Sequence, residues 1–242
     1  MSNVRDDKVT NAVVQINTGM ANVFLIRGGA GYILVDTGNP GKEDLVLEQL
    51  KEHGVAPDDI RLILITHGHV DHFGSAAALR ELTSAPVAIH TLDGDAMRQG
   101  IHQPDSLKPT GKLMAFLRRI PALQNKVVPE AAPACEPDVV FEEEWRLDDY
   151  GIAGRVLLTP GHTPGSVSLL LDGGEAVVGD VVMGKLMGLI RKPGPPLVAW
   201  DLERNWQSLR RLLALSPRVV YVGHGGPFDD LAALAKLGTA RG

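Results

Sequence analysis

The sequence predicts a mixed α/β protein, of the α+β type, in which two β-rich layers are flanked by helices. Three observations support this fold class: short apolar runs typical of strands, amphipathic helical segments between them, and a second half that repeats the order of elements of the first half. A chain of 242 residues is long enough to bury one large core. We therefore expect residues 1–242 to form a single domain.

The first half begins with a predicted β-hairpin. The apolar runs Val23 to Ile26 and Tyr32 to Val35 are joined by a glycine-rich link, and the second run leads into Asp36. Downstream, the apolar spacing predicts a helix over 43–53, a strand over 61–65, a helix over 75–82 and a strand over 86–89. The strand over 61–65 is followed directly by a histidine-rich segment.

The second half follows the same order. The runs 167–171 and 176–178 predict another hairpin, which ends in Asp180. A predicted helix over 202–215 and a strand over 218–222 come next, and this strand leads into His224. Each half therefore supplies a hairpin that ends in aspartate and a later strand that ends in histidine, which predicts that the strand ends converge at one edge.

The histidine-rich segment THGHVDHFG, at residues 66–74, has the composition of a metal site. It places three histidines and one aspartate within six positions, although the whole chain has only 8 histidines. A polar loop does not require such a density, whereas imidazole and carboxylate groups are ligands for Zn, Fe or Mn. We expect His67, His69, Asp71 and His72 to bind metal.

Three more residues of the same chemistry follow other predicted strands. His162 lies in TPGHTPGS after a strand over 156–158, Asp180 ends the second hairpin, and His224 lies in YVGHGGP. His67 and His69 are two positions apart on a segment expected to be extended, so their rings point to one side and can share an ion with His162.

A second ion is expected beside the first. His72 and Asp71 lie beyond a change of backbone direction, and His224 would complete their ligand set. Asp180 could then bridge both ions. The pattern predicts two divalent cations per chain, with Zn, Fe and Mn all compatible.

The ordered motifs VDTG, THGHVDH, TPGHTPGS, GD and GHG resemble those of the metallo-β-lactamase-fold metallohydrolases, whose signature is HxHxDH. The resemblance runs from about Asn22 to Gly226. It implies a four-layer αββα sandwich with pseudo-two-fold halves and a dinuclear site with the same seven ligands, which holds Zn in most members of the family and Fe or Mn in some. It also implies that Asp36, in VDTG, supports the metal-binding loop from behind the ligands.

This arrangement predicts a hydrolase that needs no serine or cysteine nucleophile. Two cations roughly 3.5 to 4 Å apart lower the pKa of a bridging water toward about 7, and the resulting hydroxide would attack a carbonyl or phosphorus atom. The catalytic residues would be the first-ion ligands His67, His69 and His162 together with Asp71, which could orient the nucleophile or relay its proton.

The expected substrate is a small carbonyl ester, such as a lactone, a thioester or a related acyl ester. Residues 103–137 are rich in proline and contain a helix-like piece with an apolar face formed by Leu113, Phe116, Leu117 and Ile120. A second apolar and cationic stretch spans 183–200. These segments predict either a lid that holds an acyl group over the metals or a subunit interface, so a homodimer is left open.

Members of the resembling family suggest further activities. Glyoxalase II enzymes carry a further glutathione-binding domain, whereas this chain ends 18 residues after His224, and one lactonase group has a tyrosine where Met183 stands here. Exported β-lactamases usually lack the bridging aspartate, so a typical β-lactamase is disfavoured and weak β-lactamase activity is left open as an alternative. The resemblance also leaves open the activities of a mononuclear iron persulfide dioxygenase and of a phosphodiesterase or nuclease.

Composition restricts the partners and the location. A formal net charge of -5 offers no general attraction for nucleic acid or anionic membranes. No apolar run approaches the roughly 20 residues that span a bilayer, and the first residues, MSNVRDDKVT, do not resemble a signal peptide. The only cysteine, Cys135, cannot form an intramolecular disulfide. We expect a cytoplasmic enzyme that acts on a small molecule.

Overall fold

Two β-sheets form the centre of the computed structural model, which describes residues 13–111, 115, 129–184 and 192–239. The first sheet has six strands in the order β1-β2-β3-β4-β5-β6. Its strands are β1 Val13–Asn17, β2 Asn22–Gly28, β3 Gly31–Val35, β4 Ile60–Leu64, β5 Val87–His90 and β6 Val139–Phe141. The second sheet has five strands in the order β11-β10-β9-β8-β7. Its strands are β7 Trp145–Arg146, β8 Gly154–Leu158, β9 Val167–Leu171, β10 Glu175–Val177 and β11 Val219–Tyr221.

Helices cover the outer face of each sheet. They are α1 Glu43–Glu52, α2 Val70–Phe73, α3 Ala76–Thr83, α4 Thr91–Gln99, α5 Leu202–Ala214 and α6 Leu231–Thr239. Short 3-10 turns lie at Pro57–Asp59, Pro104–Ser106 and Asp148–Tyr150. The predicted order of layers, helix, sheet, sheet and helix, is therefore observed.

The alternation of side chains along β2 shows how the layers are held together. Val23 and Leu25 pack toward helices α1 and α3, whereas Phe24 and Ile26 pack between the two sheets. All four side chains are buried. Successive strand residues point to opposite faces, so a sheet that is covered on both sides requires an uninterrupted apolar run. A third apolar cluster joins the second sheet to α5 and includes Trp206.

The pseudo-repeat predicted from the sequence has a counterpart in the strand pairing. In the first half, β2 and β3 form an antiparallel hairpin and β3 pairs in parallel with β4. In the second half, β9 and β10 form an antiparallel hairpin and β10 pairs in parallel with β11. Strands β3, β4 and β5 therefore end at one edge of the first sheet, and β8, β10 and β11 end at one edge of the second.

Most predicted elements are found within one or two residues of their expected bounds, but several elements had no prediction. Those missed are β1, the short strands β6 and β7, and the helices α2, α4 and α6. The apolar face expected at Leu113, Phe116, Leu117 and Ile120 lies outside the described residues, as do residues 185–191 of the second stretch and the first 12 residues. Of the helices in the described part of the chain, none has the length and apolar character needed to cross a bilayer.

Candidate metal centre

All seven predicted ligands lie together at the edge where the strand ends of the two sheets meet. They come from the loops or the short helix that follow β4, β8, β10 and β11, and each residue is at most 8% exposed. Three groups of these side chains have ligand atoms close enough to hold a metal ion. The residues brought together are His67, His69, Asp71, His72, His162, Asp180 and His224.

The first cluster consists of His67, His69 and His162. Nε2 of His162 lies 3.1 Å from Nε2 of His67 and 3.0 Å from Nδ1 of His69. The three rings meet nearly edge to face, with interplanar angles between 76° and 83°. Three ring nitrogens therefore converge on one point, as the ligands of a single cation would.

The prediction that His67 and His69 lie on an extended segment is wrong. The segment is not extended at this point, because the N–H of His69 donates to the carbonyl of His67 at 3.0 Å, which closes a tight turn at Gly68. The turn makes His67 face the cluster with Nε2 and His69 with Nδ1. Both rings reach the same point, as predicted, but through a turn and not through strand alternation.

The second cluster consists of Asp71, His72 and His224. Nε2 of His224 lies 3.3 Å from Nε2 of His72 and 3.3 Å from Oδ2 of Asp71. Asp71 and His72 lie on the short helix α2, which begins at Val70, so the chain changes direction before the predicted helix near Ser75. The helical turn therefore separates Asp71 and His72 from His67 and His69 along the chain, while the ring of His72 stays 4.0 Å from that of His67, so the two clusters adjoin each other.

Asp180 lies between the two clusters. Its Oδ2 is 3.6 Å from Nε2 of His162 and 3.2 Å from Nε2 of His224, and its Oδ1 is 3.6 Å from Nε2 of His72. One carboxylate thus faces a ligand-type nitrogen of each cluster. The sequence placed Asp180 between two ligand sets, and its carboxylate lies between the two clusters.

Every histidine of the two clusters turns its other ring nitrogen to a hydrogen-bond acceptor. Nδ1 of His162 lies 2.9 Å from the Val198 carbonyl, and Nδ1 of His224 lies 3.0 Å from the Met20 carbonyl. Since a carbonyl can only accept, these nitrogens carry a proton, and Nε2 is the ring nitrogen left to face the cluster. The remaining outer contacts are His67 with Thr66, His69 with Ser106 and His72 with Asp36.

Asp36 has the role expected of the VDTG motif, because it holds the second cluster from behind. Its Oδ2 accepts from Nδ1 of His72 at 2.8 Å, and its Oδ1 accepts from the N–H of Thr66 at 2.8 Å. The hydroxyl of Thr66 also donates to this carboxylate. Asp36 has a φ of 62°, a left-handed conformation that aspartate tolerates better than most residues. The backbone is thus strained at the point where the carboxylate reaches both loops.

The electrostatics differ between the two clusters. Burial, followed by the neighbouring histidines, lowers the pKa of His67 and of His69, and burial also lowers the pKa of His162. In the second cluster burial opposes protonation of His224, but the charge of Asp180 and hydrogen bonds to Asp180 and Asp71 raise its pKa to about 10. The first cluster thus favours neutral rings, whereas the second favours a positive charge.

These features fit a cation in each cluster. Oδ1 of Asp180 is buried and has no hydrogen-bond partner among the described residues, which is costly for a carboxylate unless a positive charge satisfies it. The convergence of bare ring nitrogens in the first cluster, at 3.0–3.1 Å, is also unfavourable unless a positive charge lies between them. Imidazole nitrogen and carboxylate oxygen together suit Zn, Fe or Mn.

Comparison with known proteins identifies the family. Residues 16–224 match the family model described as the metallo-beta-lactamase superfamily, which covers most of the chain and all seven clustered residues. The chain belongs to the metallo-beta-lactamase superfamily. The resemblance inferred from the ordered motifs is confirmed.

Relatives within the metallo-beta-lactamase superfamily have a low sequence identity to this chain, but the similarity extends over most of its length. The probable metallo-hydrolase YflN of Bacillus subtilis is 29% identical over 239 residues, which cover 89% of this chain and 87% of the relative. The probable metallo-hydrolase MJ0888 of Methanocaldococcus jannaschii is 27% identical over 227 residues, covering 90% and 94%. The prediction of a metal-dependent hydrolase agrees with these names.

A solved structure of the superfamily shares the fold. The subclass B3 metallo-beta-lactamase BJP-1 of Bradyrhizobium japonicum has a TM-score of 0.64 with 23% sequence identity, over 96% of this chain and 88% of the other. At this identity the similarity shows the fold alone. The predicted sandwich is confirmed by this similarity and by the two sheets with their outer helices.

The three remaining histidines lie outside both clusters. His53 follows the end of α1, and His90 precedes α4, where its ring packs against Phe141. His102 lies closer, with its ring 5.3 Å from that of His69, but its Nε2 donates to the Pro129 carbonyl and its Nδ1 accepts from a backbone N–H. Both nitrogens of His102 are therefore already occupied.

Sequence reasoning missed three residues that contact the loops of this superfamily site. Thr66 and Ser106 touch ligand-type histidines, and Asp93 is fully buried beside both histidine loops. Asp93 follows a strand that ends beside β4, and this position was the one available signal. The sequence of α4 has no strong apolar period, so neither this helix nor the position of Asp93 was predicted.

Proposed function

We propose that this protein is a dinuclear metal-dependent hydrolase that acts on a small carbonyl ester, such as a lactone or thioester. The observation that carries the proposal is the complete set of seven buried ligand-type side chains, arranged as two clusters around Asp180. A mononuclear enzyme would need only the first cluster. The presence of a full second cluster therefore favours two cations.

The ligand assignment follows from the clusters. His67, His69 and His162 would hold one cation, Asp71, His72 and His224 would hold the other, and Asp180 would contact both. When bound there, divalent cations such as Zn would make water more acidic and polarise the carbonyl oxygen of the substrate. Fe and Mn are compatible with the same nitrogen and oxygen donors.

Asp71 is the side chain that we expect to orient the attacking water. Its carboxylate is buried, and although burial alone would raise its pKa, His72 and His224 hold that pKa far below the usual range. Asp71 therefore stays an anion and accepts a hydrogen bond. A carboxylate with so low a pKa is poorly matched to general-base catalysis at neutral pH, so orientation and not permanent proton transfer is its expected contribution.

The outer contacts of the histidines give the site its rigidity. Carbonyls and carboxylates fix the tautomers of the rings, so the lone pairs are aimed before a cation or a substrate binds. Fixed donors need no reorganisation during the reaction, which is the main advantage of a preorganised site. Burial of the same residues limits competing contacts with bulk water.

An apolar rim supports an acyl substrate. Met20 and Val198 lie beside the site because their carbonyls bind His224 and His162, and Met183 follows Asp180 closely and accepts a hydrogen bond from the N–H of Leu197. These four side chains are half-buried. Backbone bonds between residues 108–110 and 197–199 hold this rim in place. Apolar residues next to the clusters suit an uncharged acyl group better than a polyanion.

The two sheets enclose one apolar layer, which supports the expectation that the site belongs to a single domain. The net charge of -5 gives no general attraction for nucleic acid, which supports a small ester as the partner.

The proposal is tested by measuring metals per chain and turnover of a substrate panel. Purified protein is analysed for Zn, Fe and Mn, then assayed with lactones, thioesters, a phosphodiester, a β-lactam and a persulfide. About two ions per chain with ester turnover that chelation abolishes would support the proposal. About one Fe per chain with persulfide-dependent oxygen consumption would overturn it in favour of an oxidoreductase.

The panel separates the remaining activities of the fold. Turnover of the phosphodiester or the β-lactam alone would retain the metal assignment but overturn the ester assignment. Asp95→Asn serves as a matched control, because Asp95 is an exposed carboxylate that pairs with Arg98. This variant should keep both the metal content and the turnover of the unaltered protein.

A further inference from the structure

Asp93 is a buried carboxylate that lies outside the two clusters but contacts the loops that carry them. Its Oδ2 accepts from the N–H of Gly68 at 2.7 Å and from the hydroxyl of Thr163 at 2.5 Å. Its Oδ1 accepts from the N–H of Gly165 at 3.0 Å. The residue is fully buried, and it lies in the first turn of α4.

The partners of Asp93 belong to two separate loops. Gly68 lies between His67 and His69, whereas Thr163 directly follows His162. These loops are far apart in sequence, and they supply all three histidines of the first cluster. One carboxylate therefore connects every loop from which that cluster is built.

Two glycines allow this close approach. A Cβ atom at Gly68 would lie 3.1 Å from Cβ of Asp93 and 3.0 Å from Cβ of Ala96. A Cβ atom at Gly165 would lie 2.8 Å from Oδ1 of Asp93. A side chain at either position would thus push its loop away from the carboxylate and widen the gap between the histidines.

The contacts require an acceptor at both oxygens. All three partners donate: Gly68 and Gly165 through their N–H groups, and Thr163 through its hydroxyl, which can itself accept a hydrogen bond from the hydroxyl of Ser166. An asparagine at this position would turn its amide NH2 toward at least one donor. Burying a carboxylate is costly unless it is fully hydrogen-bonded. The Asp93 carboxylate meets this condition because it accepts from all three donors, which a smaller polar side chain could not do.

We propose that Asp93 is a positioning residue that fixes the loop of His67 and His69 against the loop of His162 and thereby sets the metal affinity of the first cluster. The inference rests on the proposed function, since it assumes that this cluster holds a cation. Asp93 acts through the backbone of both loops and touches none of the three rings. Its loss should therefore weaken the first cluster selectively.

The test is a titration of the metal-free protein with Co2+, followed by visible d–d absorption and by the shifted imidazole N–H signals in NMR. The variants are Asp93→Asn, Thr163→Val and Thr163→Ser, with Asp95→Asn as the matched control two residues along the same helix. We expect Asp93→Asn to weaken the cation affinity of the first cluster by about 10- to 100-fold, the range for outer contacts of metal ligands. The affinity of the second cluster should change far less.

The threonine pair separates hydrogen bonding from packing. Thr163→Val keeps the shape of the side chain but removes the hydroxyl, so it should weaken the first cluster in the same direction as Asp93→Asn. Thr163→Ser keeps the hydroxyl and should restore the original affinity. Thermal unfolding of each metal-free variant identifies any variant that fails to fold, and Thr163→Val then carries the test if Asp93→Asn does not fold.

The outcomes distinguish the two proposals. If the unaltered protein binds no Co2+ through its histidines, the proposed function fails. If it binds two ions but Asp93→Asn and Thr163→Val keep the original ratio of the two affinities, the positioning role is wrong while the hydrolase assignment stands. An equal loss of affinity at both clusters would show a general structural role and would also overturn the inference.

Discussion

Asp36 accepts a hydrogen bond from Nδ1 of His72 at 2.8 Å, and both side chains are completely buried. The same carboxylate accepts from the backbone and hydroxyl of Thr66, whose hydroxyl also contacts Nδ1 of His67. A single anion therefore reaches a histidine of the second cluster directly and a histidine of the first cluster through one side chain. Asp36 lies behind both clusters, on the side of the histidine rings opposite to the nitrogens that would bind the cations.

Replacing Asp36 by asparagine should weaken the second cluster most. Asparagine tolerates the left-handed backbone at this position, but its amide removes the charge that holds the His72 ring and can present its NH2 to a donor. We expect the affinity of the second cation to fall by about 10- to 100-fold. Titration of the metal-free variant with Zn2+ measures the loss. An unchanged second affinity would contradict the role of Asp36.

Replacing Asp180 by alanine should lower metal content and turnover together. The Asp180 carboxylate faces His162 on one side and His224 on the other, so its removal leaves both cations without a shared anion. We expect the content to fall from about two ions per chain to about one or less. Elemental analysis and an ester assay on the same preparation test this. Unchanged values for both would contradict the bridging position of Asp180.

The fold and the clustering of the seven His and Asp side chains were predictable because each depends on a strong local pattern. The β2–β3 hairpin is an apolar run with a glycine-rich turn, and the histidine motif is dense enough to stand out from a loop. The convergence of both halves was inferred from the repeated order of a hairpin that ends in aspartate and a later strand that ends in histidine. Short segments of the sequence predict these features, so knowledge of contacts between distant residues was not needed.

The missed features depend on contacts between distant residues. Asp93 acquires its contacts only when β5 lies beside β4 and the loop of Thr163 reaches the first turn of α4. The turn at Gly68 is likewise fixed by that carboxylate and not by the turn residues alone. The edge strands β6 and β7 are too short for a periodic signal. A single sequence contains no pattern that predicts contacts between residues so far apart in the chain.

Removing the metals should destabilise the fold reversibly. The second cluster places two buried carboxylates beside two histidines, as a cation site would. A cation that binds only the folded state stabilises that state by mass action, so its removal lowers the stability. At a free metal concentration of 100 times the dissociation constant, the stabilisation is about 2.7 kcal/mol per site. Thermal unfolding before and after treatment with a chelator, and again after metal is restored, measures this. An identical melting temperature in all three states would argue against cations bound in the clusters.

A pH-dependent contribution to stability is expected from Asp138, far from the metal centre. Nε of Arg80 donates to Oδ2 of Asp138 at 2.7 Å, a second guanidinium N–H donates to Oδ1, and the N–H of Val87 donates to Oδ2 at 2.9 Å. These contacts tie α3 to β5. The hydrogen bond from Arg80 is the largest cause of the lowered pKa of Asp138, which burial opposes and the Val87 N–H supports.

The sign of the pH effect follows from the lowered pKa. The stabilisation is fully present above the unfolded pKa of about 3.9 and is lost as the pH falls through the lower pKa of the folded state. Asp138→Asn should therefore cost about 0.5 to 1 kcal/mol at pH 7, a value kept small because solvent screens the pair. The cost should shrink steadily below pH about 4. Urea unfolding of metal-free protein at several pH values measures it without a contribution from metal release.

Asp148→Asn provides the matched control for this measurement. Asp148 also receives two hydrogen bonds from one guanidinium, that of Arg146, but the pair is more exposed, and the two residues are only two positions apart. Its loss should change stability less than the loss of Asp138, because no distant elements are joined. If Asp138→Asn costs the same at pH 3 and pH 7, the charge of Asp138 does not stabilise the fold, and only its packing between α3 and β5 does.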